Sequence, residues 1–121
     1  MNNQTVDIFN PKTIRATMGS IFRVPFVYVP DLAPVLEQMH AKGIYTYAAH
    51  LKGQEYYDSF SFREPTAFLI GNEGNGLSKE ISDQAGQYLK IPMEGRVESL
   101  NASIAAALLM YEAHRQRSAR L

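Results

Sequence analysis

The chain has 121 residues, 45% hydrophobic and 20% charged, which suits a single domain that buries a real core. It has no cysteine, and this excludes disulfides, thiolate metal sites and cysteine nucleophiles. Its 12 basic residues balance 12 acidic ones, so contact with nucleic acid must rest on local patches or another domain, not on overall charge. No apolar run approaches the ~20 residues of a membrane helix. The start, MNNQTVDIFN, lacks the basic and apolar stretches of a signal peptide. The expected setting is cytoplasmic, with no membrane and no metal.

VDIF (6–9) predicts a short strand. Asn10-Pro11 then starts a helix, with Asn10 as N-cap and Pro11 in the first helical position. Ile14 and Met18 share its face, and Gly19 ends it. PFVYV (25–29) reads as a buried strand. In DLAPVLEQMHAKG, Asp31 caps, Leu32, Val35, Leu36 and Met39 follow the helical period, and Gly43 stops the helix. IYTYAAHL (44–51) is a β-branched and aromatic strand, and KGQEYYDSFSFREP has no period and reads as a surface loop. TAFLI is a short, fully apolar strand of the kind found in parallel sheets.

Ser78 caps a short helix to about Ala85, and YLKIPM is a further strand. The best helix spans 99–117, where Leu100, Ile104, Leu108 and Tyr111 line one face. Its end holds the basic cluster HRQRSAR (114–120), which suits either the helix macrodipole or a nucleic-acid contact. Strands alternating with helices, without repeats or linkers, define one α/β domain with a mainly parallel sheet over residues 1–121.

FLIGNEGNGLSKEI (68–81) raises a chemical question. Glycine-rich turns after strands often hold phosphates, but Gly71-x-x-Gly74-x-Gly76 inverts the dinucleotide fingerprint and lacks the Lys-Ser or Lys-Thr of a P-loop. One reading is a permissive glycine turn with no ligand. The other follows from position, because ligands of open parallel sheets collect beyond the carboxyl ends of strands. IPMEGRVESLN (91–101) leaves such an end too. Backbone groups of the two loops would read an adenine ring, with Ile91, Met93 and Leu100 as apolar walls.

Together these stretches resemble the SpoU (TrmH-like) RNA ribose methyltransferases of the SPOUT class. LIGNEGNGLS resembles that family's second motif, IPMEGRVESLNASIAAALLMYE its third, and NPKTIRATMGS the segment upstream of both. The resemblance covers nearly the whole chain. It implies helices on both faces of the sheet and a C-terminal deep trefoil knot, with the knot and cofactor site at about 68–117. Such knots are exceptions to the rule against threading. It also implies S-adenosyl-L-methionine as cofactor, contacted by Gly71, Ile91 and Leu100 with Met93 beside them, so that the glycine loop holds no phosphate. The substrate would be a ribose 2′-hydroxyl of rRNA or tRNA, and the assembly a homodimer with active sites at the interface.

Glu73, Ser99 and Asn101 would lie on the ribose side as candidate catalytic residues, orienting groups around a hydroxyl that needs its proton drawn away. Each has a plainer reading: Ser99 as a helix N-cap, Asn101 as an early-helix polar residue and Glu73 as a solvated turn residue. The sequence departs from the family in its first motif, Asn-x-Gly-x-x-x-Arg, which is absent. Arg15 does not stand in the matching position and takes no such role. The expectation is an N-terminally truncated, C-terminal portion of the catalytic domain, and the alternative function is a knotted fragment that binds cofactor or RNA without methylating.

Overall fold

The computed structural model describes residues 1–3, 5–72, 74–95 and 100–118, whose backbone divides into two units, Met1–Leu32 and Ala33–Leu121. In the first, the Asn10 side chain accepts the Lys12 N–H at 2.9 Å and Pro11 opens helix α1 (Pro11–Thr17). The helix ends in two left-handed residues, Met18 (φ 49°) and Gly19 (φ 86°), before a 3₁₀ turn at Ser20–Phe22. The strands expected in this unit do not form. Residues 8 and 9 lie in a turn, and 25–29 belong to no ladder. Nor is 25–29 buried, since Phe26, Val27 and Tyr28 are 43%, 64% and 41% exposed. Apolar composition favours extended backbone, but burial also requires a neighbour to cover it. The Phe26 ring meets those of Phe9 and Tyr28, both edge to face.

The second unit opens with helix α2 (Ala33–Ala41). Gly43 (φ 72°) closes it in a Schellman turn: its N–H donates to His40 at 3.0 Å, and the Ile44 N–H donates to Met39 at 2.9 Å. Strands β1 (Tyr45–Ala49), β2 (Thr66–Leu69) and β3 (Gln87–Leu89) form a parallel sheet in the order β2-β1-β3. Tyr47 stands opposite Phe68 on one side and Gln87 on the other. Helix α3 (Lys79–Gln84) connects β2 to β3, and the Ser78 hydroxyl caps it by accepting the Ile81 N–H. Helix α4 (Ala102–Ser118) is the longest element, three residues later at its start than the sequence suggests.

Alternation along β1 sends successive side chains to opposite faces. Thr46 is buried on one, where its hydroxyl oxygen accepts the Gly86 N–H at 2.8 Å and lies 2.7 Å from His40 Nε2 of α2. Tyr47 lies on the other, packed with Phe62, Leu89 and the α4 residues Leu109 and Ala113. Helices therefore cover both faces. The side of α4 that meets the core is Ala105, Leu109 and Ala113. The Ile104, Leu108 and Tyr111 face points elsewhere: Ile104 is 57% and Tyr111 74% exposed.

The 50–65 connection departs most from its sequence reading. It is ordered around a 3₁₀ turn at Tyr57–Ser59, and Phe62 within it is fully buried. The end of α4 grips it. Gln116 accepts the Phe62 N–H at 2.7 Å and donates to the Phe60 carbonyl at 2.9 Å, while Arg117 donates to the carbonyls of Phe62 and Glu64 at 2.8 and 2.9 Å. Arg115 pairs with Glu112 at 2.7 Å. Two cations of the C-terminal basic cluster thus have partners within the chain; Arg120 lies outside the described residues.

Hydrogen bonds from Arg115 and then Gln116 hold the Glu112 carboxyl at about 2, against an ordinary value of 4.5. A carboxyl whose pKa is depressed by folding stabilises the fold fully above its unfolded pKa, and that contribution is lost as pH falls towards the folded value. Unfolding free energy measured between pH 4.5 and 2 should therefore decline less steeply in Glu112→Gln than in the parent. Equal slopes would show that the pair contributes nothing.

Candidate functional site

All three parallel strands deliver their carboxyl ends to one cleft of about 350 Å³. From β1 come Ala49, His50 and Leu51; from β2, Ile70 and the loop 71–77; from β3, Lys90, Ile91 and Met93. Leu100, Ala102 and Ala105 close it from the start of α4. The volume falls in the range of small-ligand sites, and the lining is mostly apolar with a few polar groups, as such sites are. Gly71, Ile91, Met93 and Leu100, the four residues assigned to the cofactor from sequence, all line it.

Glycine at 71 has a specific cause. A Cβ there would fall inside the contact distance of the Gly76 carbonyl carbon and the Leu77 nitrogen, and 2.6 Å from Gly76 Cα. The loop folds back onto its own first residue. Asn72 fastens the fold-back: its carbonyl accepts the Gly76 N–H at 2.9 Å, and its Oδ1 accepts the Asn75 N–H at 2.7 Å. Gly76 takes the left-handed conformation (φ 65°) that brings the chain round. The glycines thus shape one wall of the cleft through backbone–backbone contact.

Among the described residues, the backbone N–H groups of Leu77, Ile91, Met93 and Leu100 donate to nothing within the chain. Donors of this kind, set between apolar walls, suit a planar heteroaromatic ring with acceptor nitrogens. The sequence reading missed His50 and Lys90. The His50 ring packs on Tyr88 at 5.1 Å, and its Nδ1 accepts the Lys52 N–H at 3.0 Å, leaving the proton on Nε2. Its place directly after β1 was the available signal, because such positions face the ligand side of a parallel sheet.

Of the three candidate catalytic residues, Glu73 and Ser99 lie outside the described residues. Asn101 is exposed, and its Oδ1 accepts the N–H groups of Ser103 at 2.9 Å and Ile104 at 3.3 Å and the Ser103 hydroxyl. Asn101 is the N-cap of α4, the role the sequence offered to Ser99.

Fold and cleft together define a parallel α/β domain with a ligand-sized cleft at the carboxyl ends of its strands. Residues 1–111 match the SpoU rRNA Methylase family. YacO of Bacillus subtilis, whose name assigns it provisionally to the TrmH family of tRNA/rRNA methyltransferases, is 38% identical over 86% of this chain and 42% of its own length. The SpoU methyltransferase AviRb of Streptomyces viridochromogenes, in complex with its cofactor AdoMet, superposes with a TM-score of 0.87 at 35% identity, over 97% of this chain and 48% of AviRb. The A. aeolicus TrmH/SpoU tRNA modifying enzyme gives 0.82 at 30% identity, over 95% and 57%. The chain belongs to the SpoU rRNA methylase family, and it spans about two-fifths of the length of the curated relatives it matches.

Proposed function

We propose that this chain is the cofactor-holding part of a methyltransferase that uses S-adenosyl-L-methionine to methylate a ribose 2′-hydroxyl of rRNA or tRNA. The observation that carries this reading is the single cleft at the ends of β1, β2 and β3, built by both sequence motifs at once. The residues fit the cofactor: Ile70, Ile91 and Leu100 wall an adenine ring, and the backbone N–H groups of Ile91, Met93 and Leu100 meet its edge. When bound, S-adenosyl-L-methionine supplies an electrophilic methyl group. The chain's contribution is to exclude water from the site and hold the reacting groups in line, where positioning accounts for much of the rate. Glu73 and Ser99 are proposed to face the ribose.

In this reading residues 1–121 form one SpoU-type domain of a cytoplasmic enzyme whose chain threads a trefoil knot at about 70–101. The domain pairs as a homodimer through faces that include Ile104 and Tyr111, both exposed on α4. Titration calorimetry with S-adenosyl-L-methionine should give a binding signal. Leu100→Glu should abolish it, by placing a carboxylate in an apolar wall at a cost of several kcal/mol. Undiminished binding by that variant would place the cofactor elsewhere.

Two observations favour the narrower reading, a chain that binds cofactor without completing the reaction. The Asn-x-Gly-x-x-x-Arg pattern is absent from the sequence, and Asn101 Oδ1 is engaged in capping α4. A group that activates or positions the nucleophile contributes ~10²–10⁴-fold in rate. Radiolabelled methyl transfer to bulk RNA by the 121-residue chain should therefore stay at background. Robust 2′-O-methylation would show that a residue present here, Arg15 included, fills the role.

A further inference from the structure

Of the six asparagines in the chain, only Asn75 precedes a glycine, and it stands in the wall of the cleft. An asparagine amide carbon can close a five-membered ring with the main-chain nitrogen of the next residue. A Cβ on that next residue obstructs the approach, and glycine has none. A Cβ built at Gly76 would itself meet nothing within 4 Å, so the space around the reacting bond is open. Both residues are exposed, and the Asn75 side-chain amide bonds to nothing among the described residues. Other asparagines are less well placed. Asn10 precedes proline, which has no N–H, and main-chain donors hold the Oδ1 atoms of Asn72 and Asn101. One contact at Asn75 opposes ring closure. The Gly76 N–H donates to the Asn72 carbonyl at 2.9 Å, in the antiparallel bridge that closes the fold-back. The nitrogen is withheld while the loop is folded and released when it opens, and exposed loops open at little cost in free energy.

We propose that Asn75 is a site of spontaneous deamidation, gated by opening of the loop 71–77 and suppressed by a ligand in the cleft. Once the bridge opens, base removes the Gly76 amide proton and the nitrogen attacks Asn75 Cγ. A C–N bond forms, the bond from Cγ to the side-chain nitrogen breaks, and ammonia leaves with a proton. Water then opens the succinimide ring at either carbonyl, giving aspartate or isoaspartate. One water is consumed and one ammonia released, with no oxidation. Isoaspartate adds a methylene to the main chain between 75 and 76. That insertion moves Gly76 and Leu77 off their seat against Gly71, where the fit is too close for a Cβ. Either product also brings a carboxylate to a mostly apolar cleft. Suppression by ligand rests on the cofactor reading above; the chemistry at Asn75 does not.

The test is incubation of the full chain in mildly alkaline buffer, followed by peptide mass mapping and an isoaspartate assay. A synthetic peptide of residues 68–81 serves as the unfolded reference. Conversion should concentrate at Asn75 and run about tenfold or more slower in the folded chain than in the peptide. It should stop in Asn75→Gln, whose ring would be one atom larger. S-adenosyl-L-homocysteine, the demethylated cofactor, is the ligand probe. At about 100 times its Kd it should slow conversion by a further ~100-fold, the factor by which it favours the closed loop. Chain enriched in isoaspartate should bind it at least about tenfold more weakly. Absence of conversion at Asn75, or faster conversion at another asparagine, would overturn the inference. So would equal rates in peptide and folded chain, or a rate that saturating ligand leaves unchanged. If calorimetry detects no binding of the probe, the cofactor reading falls, and the comparison of folded chain with peptide decides the site by itself.

Discussion

Phe62→Ala should lower the unfolding free energy by about 3–5 kcal/mol, the cost of emptying a large aromatic site in a packed core. The Phe62 ring is fully buried. It meets Tyr47 at 5.1 Å and Phe68 at 5.0 Å, both edge to face, with Phe60 at 6.4 Å. Its surroundings cannot easily collapse into the space, because the backbone on each side is held by Gln116 and Arg117. A domain of this size has roughly 5–15 kcal/mol in total, so the variant should sit close to its unfolding threshold at room temperature. Urea titration should show a lower midpoint at an unchanged slope. A loss below ~1 kcal/mol would mean that the aromatic cluster is not the core.

Gly71→Ala should instead weaken ligand binding while leaving the sheet folded. The new methyl would occupy space now held by Gly76 and Leu77 backbone, which cannot rotate away as a side chain can. The fold-back of the loop must open, and the cleft loses the wall that 71–77 provide. Overpacking of this kind costs about 1–3 kcal/mol in stability, less than Phe62→Ala, because the affected atoms lie in a loop. Affinity for S-adenosyl-L-methionine should fall by more than about tenfold, which is ~1.4 kcal/mol. Gly74→Ala is the matched control. Its Cβ would meet only Asn72 Oδ1, at an ordinary 3.6 Å, and both stability and binding should survive. Equal effects at 71 and 74 would refute the fold-back as the reason for glycine at 71.

Local signals carried through to the structure wherever the chemistry was local. Asn10-Pro11, Ser78 and Gly43 each bound the helix that the sequence placed beside them, because caps act within a few residues. The three strands of the second unit were legible as short apolar runs, and the cleft was legible from the position of two loops after strands. Burial decided by distant partners was not. Phe62 lies in an aperiodic stretch, and partners distant in sequence make it core: Tyr47 on β1, and α4 more than 50 residues away, whose Gln116 holds its backbone. Alanine and leucine at 105, 109 and 113 won the inner face of α4 from the larger Ile104 and Tyr111. Small side chains let a helix lie close to a sheet, a preference that hydrophobic periodicity does not register. The capping exchange between Ser99 and Asn101 was equally invisible, since either residue type serves as N-cap.

The grip of Gln116 and Arg117 on residues 60–64 also sets a schedule for synthesis. A nascent chain emerges from its N-terminus, so β1, β2 and β3 leave the ribosome before α4 does. Tyr47, Phe62 and Leu89 then wait without Leu109 and Ala113, which complete their cluster. The contacts that end the wait span 53 to 56 residues, and such non-local closures are slow relative to local turns. During translation the aromatic face of the sheet stays wet until α4 arrives. Ribosome-held intermediates that stop short of Gln116 should be the species that chaperones bind.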